Sequence, residues 1–189
     1  MLVYVLFAFA CAKIKGNKIK PIIKAYSLYP FVLAEIIYML LQVNIFLHNY
    51  NFIKYTSVIN RVYMYTLLIP IFVYKLYKPG IIGSILMIIG TILNNFVMSQ
   101  NGGKMPVFAS LSKITGYYSD TAILTVDNIH INGDVSSKFK ILTDFIDVGY
   151  SILSIGDILI HSFIFIVIYY TVIEINKNLN NTYEKLQEG

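Results

Sequence analysis

Three groups of residues in this sequence have the types and spacing to do chemistry. The first is Asn101-Gly-Gly-Lys-Met-Pro-Val107. Consecutive Gly102 and Gly103 admit left-handed backbone and can turn N–H groups toward an anion, with Lys104 adding charge, which suits a phosphate or a lipid headgroup. The segment is not a nucleotide-binding P-loop, which needs a longer glycine spacing, a Ser or Thr after the lysine and a preceding strand. The same residues also read as a helix C-cap, with Asn101 or Gly102 left-handed and Pro106 preventing the helix from resuming. The second group is Ser154-Ile-Gly156-Asp157, a capping box in which Ser and Asp exchange hydrogen bonds with each other's backbone. The positive end of the helix dipole also favours a carboxylate there. His161 follows four residues on, on the same helical face, where an Asp/His pair can bind a metal or relay a proton. The third is Glu35, set in a long apolar run. A charge there costs several kcal/mol inside a bilayer unless it is neutralised, paired or hydrated, so Glu35 reads either as an ion or proton site or as an interhelical hydrogen-bonding residue. Gln42 shares its face, and Asn44 and His48 form a further pair nearby.

Other chemistries find no support. No Ser-His-Asp set, His-Glu-x-x-His helix, dinucleotide fingerprint or kinase signature is present. Three histidines, His48, His130 and His161, offer little for a histidine-rich metal centre, so no metal and no cofactor are expected. One cysteine, Cys11, excludes an intramolecular disulfide framework. It follows Leu6-Phe-Ala-Phe-Ala10, a run resembling a lipoprotein processing site, but no basic residue precedes that run, so Cys11 is read as a packing residue.

The elements that must hold these groups are set by composition. Apolar residues make up 57% of the 189 residues and charged residues only 13%, so the excess apolar surface must face a bilayer rather than water. The net charge of +5 therefore does not indicate nucleic acid. Five apolar runs are candidate spans: about 2–12, which is short, then 28–47, 58–77, 81–98 and 155–173. Pro30 suits a first helical turn, Pro70 predicts a kink, and Lys78-Pro79-Gly80 predicts the turn between the third and fourth spans. With the first span running outside to inside, the cytoplasmic loops hold nine basic residues: Lys13, Lys15, Lys18, Lys20, Lys24, Lys75, Lys78, Lys177 and Lys185. The outer loops hold six: Lys54, Arg61, Lys104, Lys113, Lys138 and Lys140. That bias predicts an external amino terminus and a cytoplasmic carboxyl terminus. Ile14, Ile19, Ile22 and Ile23 interleave with the first lysines, as in a segment lying on an anionic inner leaflet, although charges alone also set topology.

Residues 99–154 differ from the rest, holding five of the ten acids: Asp120, Asp127, Asp134, Asp144 and Asp147. The pattern predicts a small extracytoplasmic insert, with a short helix near 109–114 and a hairpin from 121–131 through Asn132-Gly133 into Asp134 and Val135. At some 55 residues it is too small for its own core and should rest on the spans. In the fourth span, Gly83, Gly90 and Asn94 share one face and Gly80, Ser84, Thr91 and Asn95 another, spacings that let helices pack closely within the chain or against a partner or second copy.

The motifs Asn101-Gly-Gly-Lys-Met-Pro-Val107 and Ser154-Ile-Gly-Asp157 together make the chain resemble a bacterial membrane family known as domain of unknown function 5317. The resemblance implies that the first motif leaves one helix, that His130 and Leu142-Thr-Asp-Phe-Ile146 are the family's middle elements, and that the second motif starts the last helix. The chain departs from the family pattern at Phe108, where a serine is expected, and at 147–150, where proline-rich sequence is expected. The family brings no known activity. The reading is an all-α membrane protein: one integral domain of about five transmembrane helices with an insert between the last two, in a bacterial plasma membrane. Lys104, Asp144 and Asp157 would share its outer surface in one polar network. A non-enzymatic component binding a lipid, an ion or a protein partner leads. A small transporter subunit using Glu35 follows, and a membrane enzyme acting on a lipid-linked substrate comes last.

Overall fold

In the computed structural model, which describes residues 1–119 and 129–187, almost all regular structure is helical. The helices are α1 (Leu2–Ile14), α2 (Tyr29–Phe46), α3 (Thr56–Thr66), α4 (Leu68–Val73), α5 (Tyr77–Gln100), α6 (Leu111–Ile114) and α7 (Ile155–Gln187). Four stretches are long and apolar enough to cross a membrane, Tyr26–Phe46, Thr56–Val73, Tyr77–Gln100 and Ile155–Lys185, and α1 is a shorter apolar helix. Only 17 to 33% of each stretch's most apolar window is buried, so most of the apolar surface is not core. On α5 the side chains of Ile81, Ile82, Ile85, Ile88 and Ile92 are all exposed, a surface that suits hydrocarbon and not water.

The helix boundaries follow from local chemistry. Pro30 sits in the first turn of α2, where its missing N–H is no loss. The third predicted span is two helices. Its break falls at Leu67, whose N–H bonds back only to Met64. That break lies one turn before Pro70, beside the Thr66 carbonyl that the N–H absent from Pro70 would have met. The reversal before α5 is at Tyr74–Leu76 and not at Lys78-Pro79-Gly80: Lys75 is left-handed, with φ 54°, and the Leu76 N–H closes on the Ile71 carbonyl at 2.8 Å. Lys78, Pro79 and Gly80 instead form the opening turn of α5, which proline tolerates. The last helix continues well past 173 to Gln187, roughly 50 Å at 1.5 Å per residue, and its added turns are polar.

The chain forms two compact units. The first comprises residues 1–35, 61–85 and 161–189. Its core joins Val5 and Ala8 of α1, Phe31 and Ala34 of α2, Tyr63 and Leu67, Ile71 of α4, and Phe163, Ile164 and Val167 of α7. Gly83 permits the approach of α5 to α7 here, since a Cβ would lie 2.7 Å from the Phe163 ring. The second unit comprises 36–60 and 86–160. It contains the insert, built on two small sheets. Strand β1 (Met105–Val107) pairs in parallel with β2 (His130–Asn132), Met105 opposite His130, while β3 (Ile146–Asp147) and β4 (Ile152–Leu153) are antiparallel. The predicted hairpin falls largely on residues outside those described. Its described end, β2, pairs with β1, and Asp134 begins a tight turn in which its carboxylate accepts from the Ser136 and Ser137 N–H groups. The predicted short helix is α6.

In this unit α5 and α7 touch backbone to backbone. A Cβ on Gly90 would run into the Gly156 carbonyl oxygen and lie 3.0 Å from the Ile160 side chain. Gly90→Ala gains at most about 1 kcal/mol in helix propensity, against about 1–3 kcal/mol for forcing an atom into a filled contact. The expected outcome is a clear fall in the thermal midpoint of the detergent-solubilised protein, measured by circular dichroism.

Candidate functional site

The second unit's polar residues fall into separate hydrogen-bonded sets. At the start of α7 the capping box forms: the Asp157 N–H donates to Ser154 Oγ at 2.9 Å, and the Ser154 N–H donates to Asp157 Oδ2 at 3.0 Å. Asn94 of α5 completes it. Its amide donates to Asp157 Oδ1 at 2.9 Å, while its carbonyl oxygen accepts from Ser154 Oγ, also at 2.9 Å. Ser154 is fully buried, and Gly156 lies under the Asn94 side chain, where a Cβ would clash with its amide. The Asp157 carboxylate thereby uses one oxygen to close the start of α7 and the other to join α7 to α5, which is a structural use of the motif.

Asn101-Gly-Gly-Lys104 forms a helix cap and a clamp. Gly102 and Gly103 are left-handed, at φ 67° and 82°. The Gly103 N–H turns back to the Met98 carbonyl at 2.8 Å and the Lys104 N–H to that of Asn101 at 3.3 Å, so these donors point to the chain rather than to an anion. The Asn101 amide donates to the Val97 and Lys138 carbonyls and accepts from the Lys138 N–H at 2.9 Å, pinning the far side of the insert to the end of α5. Lys104 is exposed. Pro106 is buried in β1, and its carbonyl accepts from the Asp144 N–H at 3.1 Å.

Asp144 lies beside β1, bridging to Val107, with its carbonyl accepting from Phe108 at 2.8 Å. Its side chain is 5% exposed and meets His130 Nε2 at 3.3 Å from β2, while the His130 side chain is 32% exposed. A buried carboxylate thus orients an imidazole that reaches solvent. Of the three residues expected in one network, Asp144 meets His130, Asp157 meets Asn94 and Ser154, and Lys104 is exposed.

Sequence reasoning missed Asn94 as the partner of the capping box, although it lies one turn after Gly90 on the glycine face. It also missed Asp147. This carboxylate accepts from the Ser110 and Ser112 N–H groups at 2.7 and 2.8 Å, from the Gly149 N–H at 2.9 Å and from the Ser112 hydroxyl. It thereby caps α6 and ties it to β3. Tyr117 anchors the insert to α2, its hydroxyl donating to Gln42 at 2.9 Å. Burial, reinforced by nearby Tyr38, pushes its ionisation well above the ordinary tyrosine range.

Glu35 and His161 belong to the first unit. Glu35 is buried at 7% exposure, and neither carboxylate oxygen has a hydrogen-bond partner. The His161 ring packs on Tyr4 with centroids 5.3 Å apart, whereas the Asp157 carboxylate is committed to Asn94 and Ser154. Of the polar residues near Glu35 in sequence, Gln42 is taken by Tyr117, Asn44 bonds the Leu40 carbonyl, and His48 is exposed with its Nδ1 3.1 Å from the Tyr50 hydroxyl. Among the described residues, no group of three or more His, Cys, Asp and Glu side chains is arranged to hold a metal ion.

Among the described residues the fold is all-α, with four stretches fit to span a membrane and an insert tied to α2 and α5 through the side-chain amides of Gln42, Asn94 and Asn101. The chain belongs to the family of unknown function DUF5317, whose profile it matches over residues 19–169. It is also 34% identical over 103 residues to an uncharacterised protein of Thermotoga maritima, a match covering 52% of this chain and 57% of that protein. No solved structure matches.

The Asp147 site sets a pH dependence. Burial pushes its carboxyl up, but the hydrogen bonds from Ser112, Gly149 and Ser110 outweigh that and hold it down at about 2, below the ordinary 3.8. A carboxyl held lower when folded stabilises the fold above the ordinary value, and that contribution disappears as pH falls from near 4 toward 2. Thermal midpoints across that range should fall more steeply for the wild type than for Asp147→Asn, which lacks the titrating group and starts less stable at neutral pH.

Proposed function

We propose that the protein is a non-enzymatic, multi-pass component of a bacterial plasma membrane that uses its extracytoplasmic insert to bind a ligand. The amino terminus lies outside and the carboxyl terminus inside. The lysine bias supports this orientation, and the apolar helices support the membrane location. The observation that carries the binding role is the His130–Asp144 pair. A buried carboxylate fixes the ring of an imidazole that reaches the surface, in a module held at Asn101, Asp147 and Tyr117 so that the ring is presented rigidly. A partly exposed imidazole held in this way can contact a headgroup, an ion or a protein partner. A partner or second copy would meet α5 on the side of Thr91 and Asn95, which are exposed, because Gly83 and Gly90 are filled by α7.

Native mass spectrometry of the protein extracted from its own membrane, beside His130→Ala, tests this reading. A bound mass present in the wild type and missing from the variant supports it, and identical spectra from both overturn it.

Glu35 favours a second reading, a small transporter subunit. Glu35 is buried without a hydrogen bond, with the Met1 amino group as an electrostatic partner, and an acid inside an apolar helical run is a candidate ion or proton site. In proteoliposomes carrying a pH-sensitive dye, an ion or proton flux lost in Glu35→Gln is the expected sign, and flux equal in the two proteins would remove the reading.

A further inference from the structure

Residues 13–26 join α1 to α2 in the first unit. Lys13, Lys15, Lys18, Lys20 and Lys24 are all exposed, and the sequence holds no acidic residue before Glu35. Between these lysines Ile14 at 83% and Ile23 at 68% are exposed as well, as is Tyr26 at 75% just after Lys24, while Ile19 and Ile22 are half-buried. The segment has a fixed conformation. Gly16 turns the chain at φ 82° after α1, and residues Lys20–Lys24 form a 3-10 turn. The Lys18 backbone is clipped to α7 by both groups of the Asn176 amide, its N–H donating to Asn176 Oδ1 and its carbonyl accepting from Nδ2, each at 2.9 Å. Helix α4 packs against Tyr26–Leu28, which brings the turn after α4, with exposed Lys75 and Lys78, to the same end of the unit. The acid closest to the clip along α7, Glu174, is already paired with Lys177 at 3.6 Å.

We propose that residues 13–26, with Lys75 and Lys78, form a docking surface for anionic phospholipid headgroups. The proposal rests on the membrane reading above and adds the lipid class. A topology signal requires only positive charge. It requires neither a segment clipped in place nor exposed Ile14, Ile23 and Tyr26 beside the lysines. Free phosphate or nucleic acid would engage the lysines and leave Ile14, Ile23 and Tyr26 in water. At a leaflet surface both are used: the ammonium groups meet phosphates while the apolar side chains enter the boundary between headgroups and acyl chains.

The chain has no tryptophan, so Tyr26→Trp supplies a single fluorescent reporter. The variant is reconstituted in phosphatidylcholine vesicles containing a minor fraction of phosphatidylglycerol, with bromine on the acyl chains of one lipid or the other. Brominated phosphatidylglycerol is expected to quench beyond its mole fraction. That excess should shrink as salt is raised and vanish when Lys13, Lys15, Lys18, Lys20 and Lys24 are replaced by glutamine. The salt series needs no further variant, so the test survives if the lysine-free protein fails to insert. Quenching by each lipid in proportion to its mole fraction, insensitive to salt, overturns the proposal and leaves the membrane reading standing. No quenching by either lipid overturns both.

Discussion

Helices α5 and α7 approach at a distance that only bare glycine allows, and the Gly90 and Gly156 backbones leave no room there for another side chain. Apolar attraction does not hold such a contact when the surrounding solvent is itself apolar. Directed hydrogen bonds must do so, and Asn94 supplies two, one to each side chain of the capping box that begins α7. One amide thereby satisfies a helix start, bridges two helices and fixes where the insert re-enters the helical part of the second unit.

Once that anchor is set, the insert reads as a series of local solutions to the same problem, backbone groups that need partners without a large core to bury them. Asn101 takes both backbone groups of Lys138, one directly from its N–H and one through its carbonyl. Asp147 collects the free N–H groups at the start of α6. Tyr117 reaches Gln42 on α2. Within this frame the His130–Asp144 pair differs, because its carboxylate is buried while its imidazole is partly exposed. That difference is why it, and not the better-connected Asp157, carries the binding proposal.

Much of this was legible in the residues. Apolar run length located the helices, and proline, glycine and capping chemistry located most of their ends, because those signals act within one turn. The Ser154–Asp157 box formed as its spacing requires. Boundaries failed where a local signal had two solutions. Pro70 could bend a helix or end one upstream, and Lys78-Pro79-Gly80 could make a turn or open a helix. The sequence could not choose, since the choice depended on the left-handed Lys75 that closes α4.

By itself the sequence determined the long apolar helices, the helical class and the family, because composition, run length and the two motifs are properties of the chain before it folds. Tertiary structure decided which polar residue meets which. Asn94 with Asp157, His130 with Asp144, and Ser112 with Asp147 are separated by 63, 14 and 35 positions. No periodicity links residues at such distances. Each pairing exists only because folding brings polar groups distant in sequence together, where an unmet hydrogen bond would cost more than ordering the chain to make it.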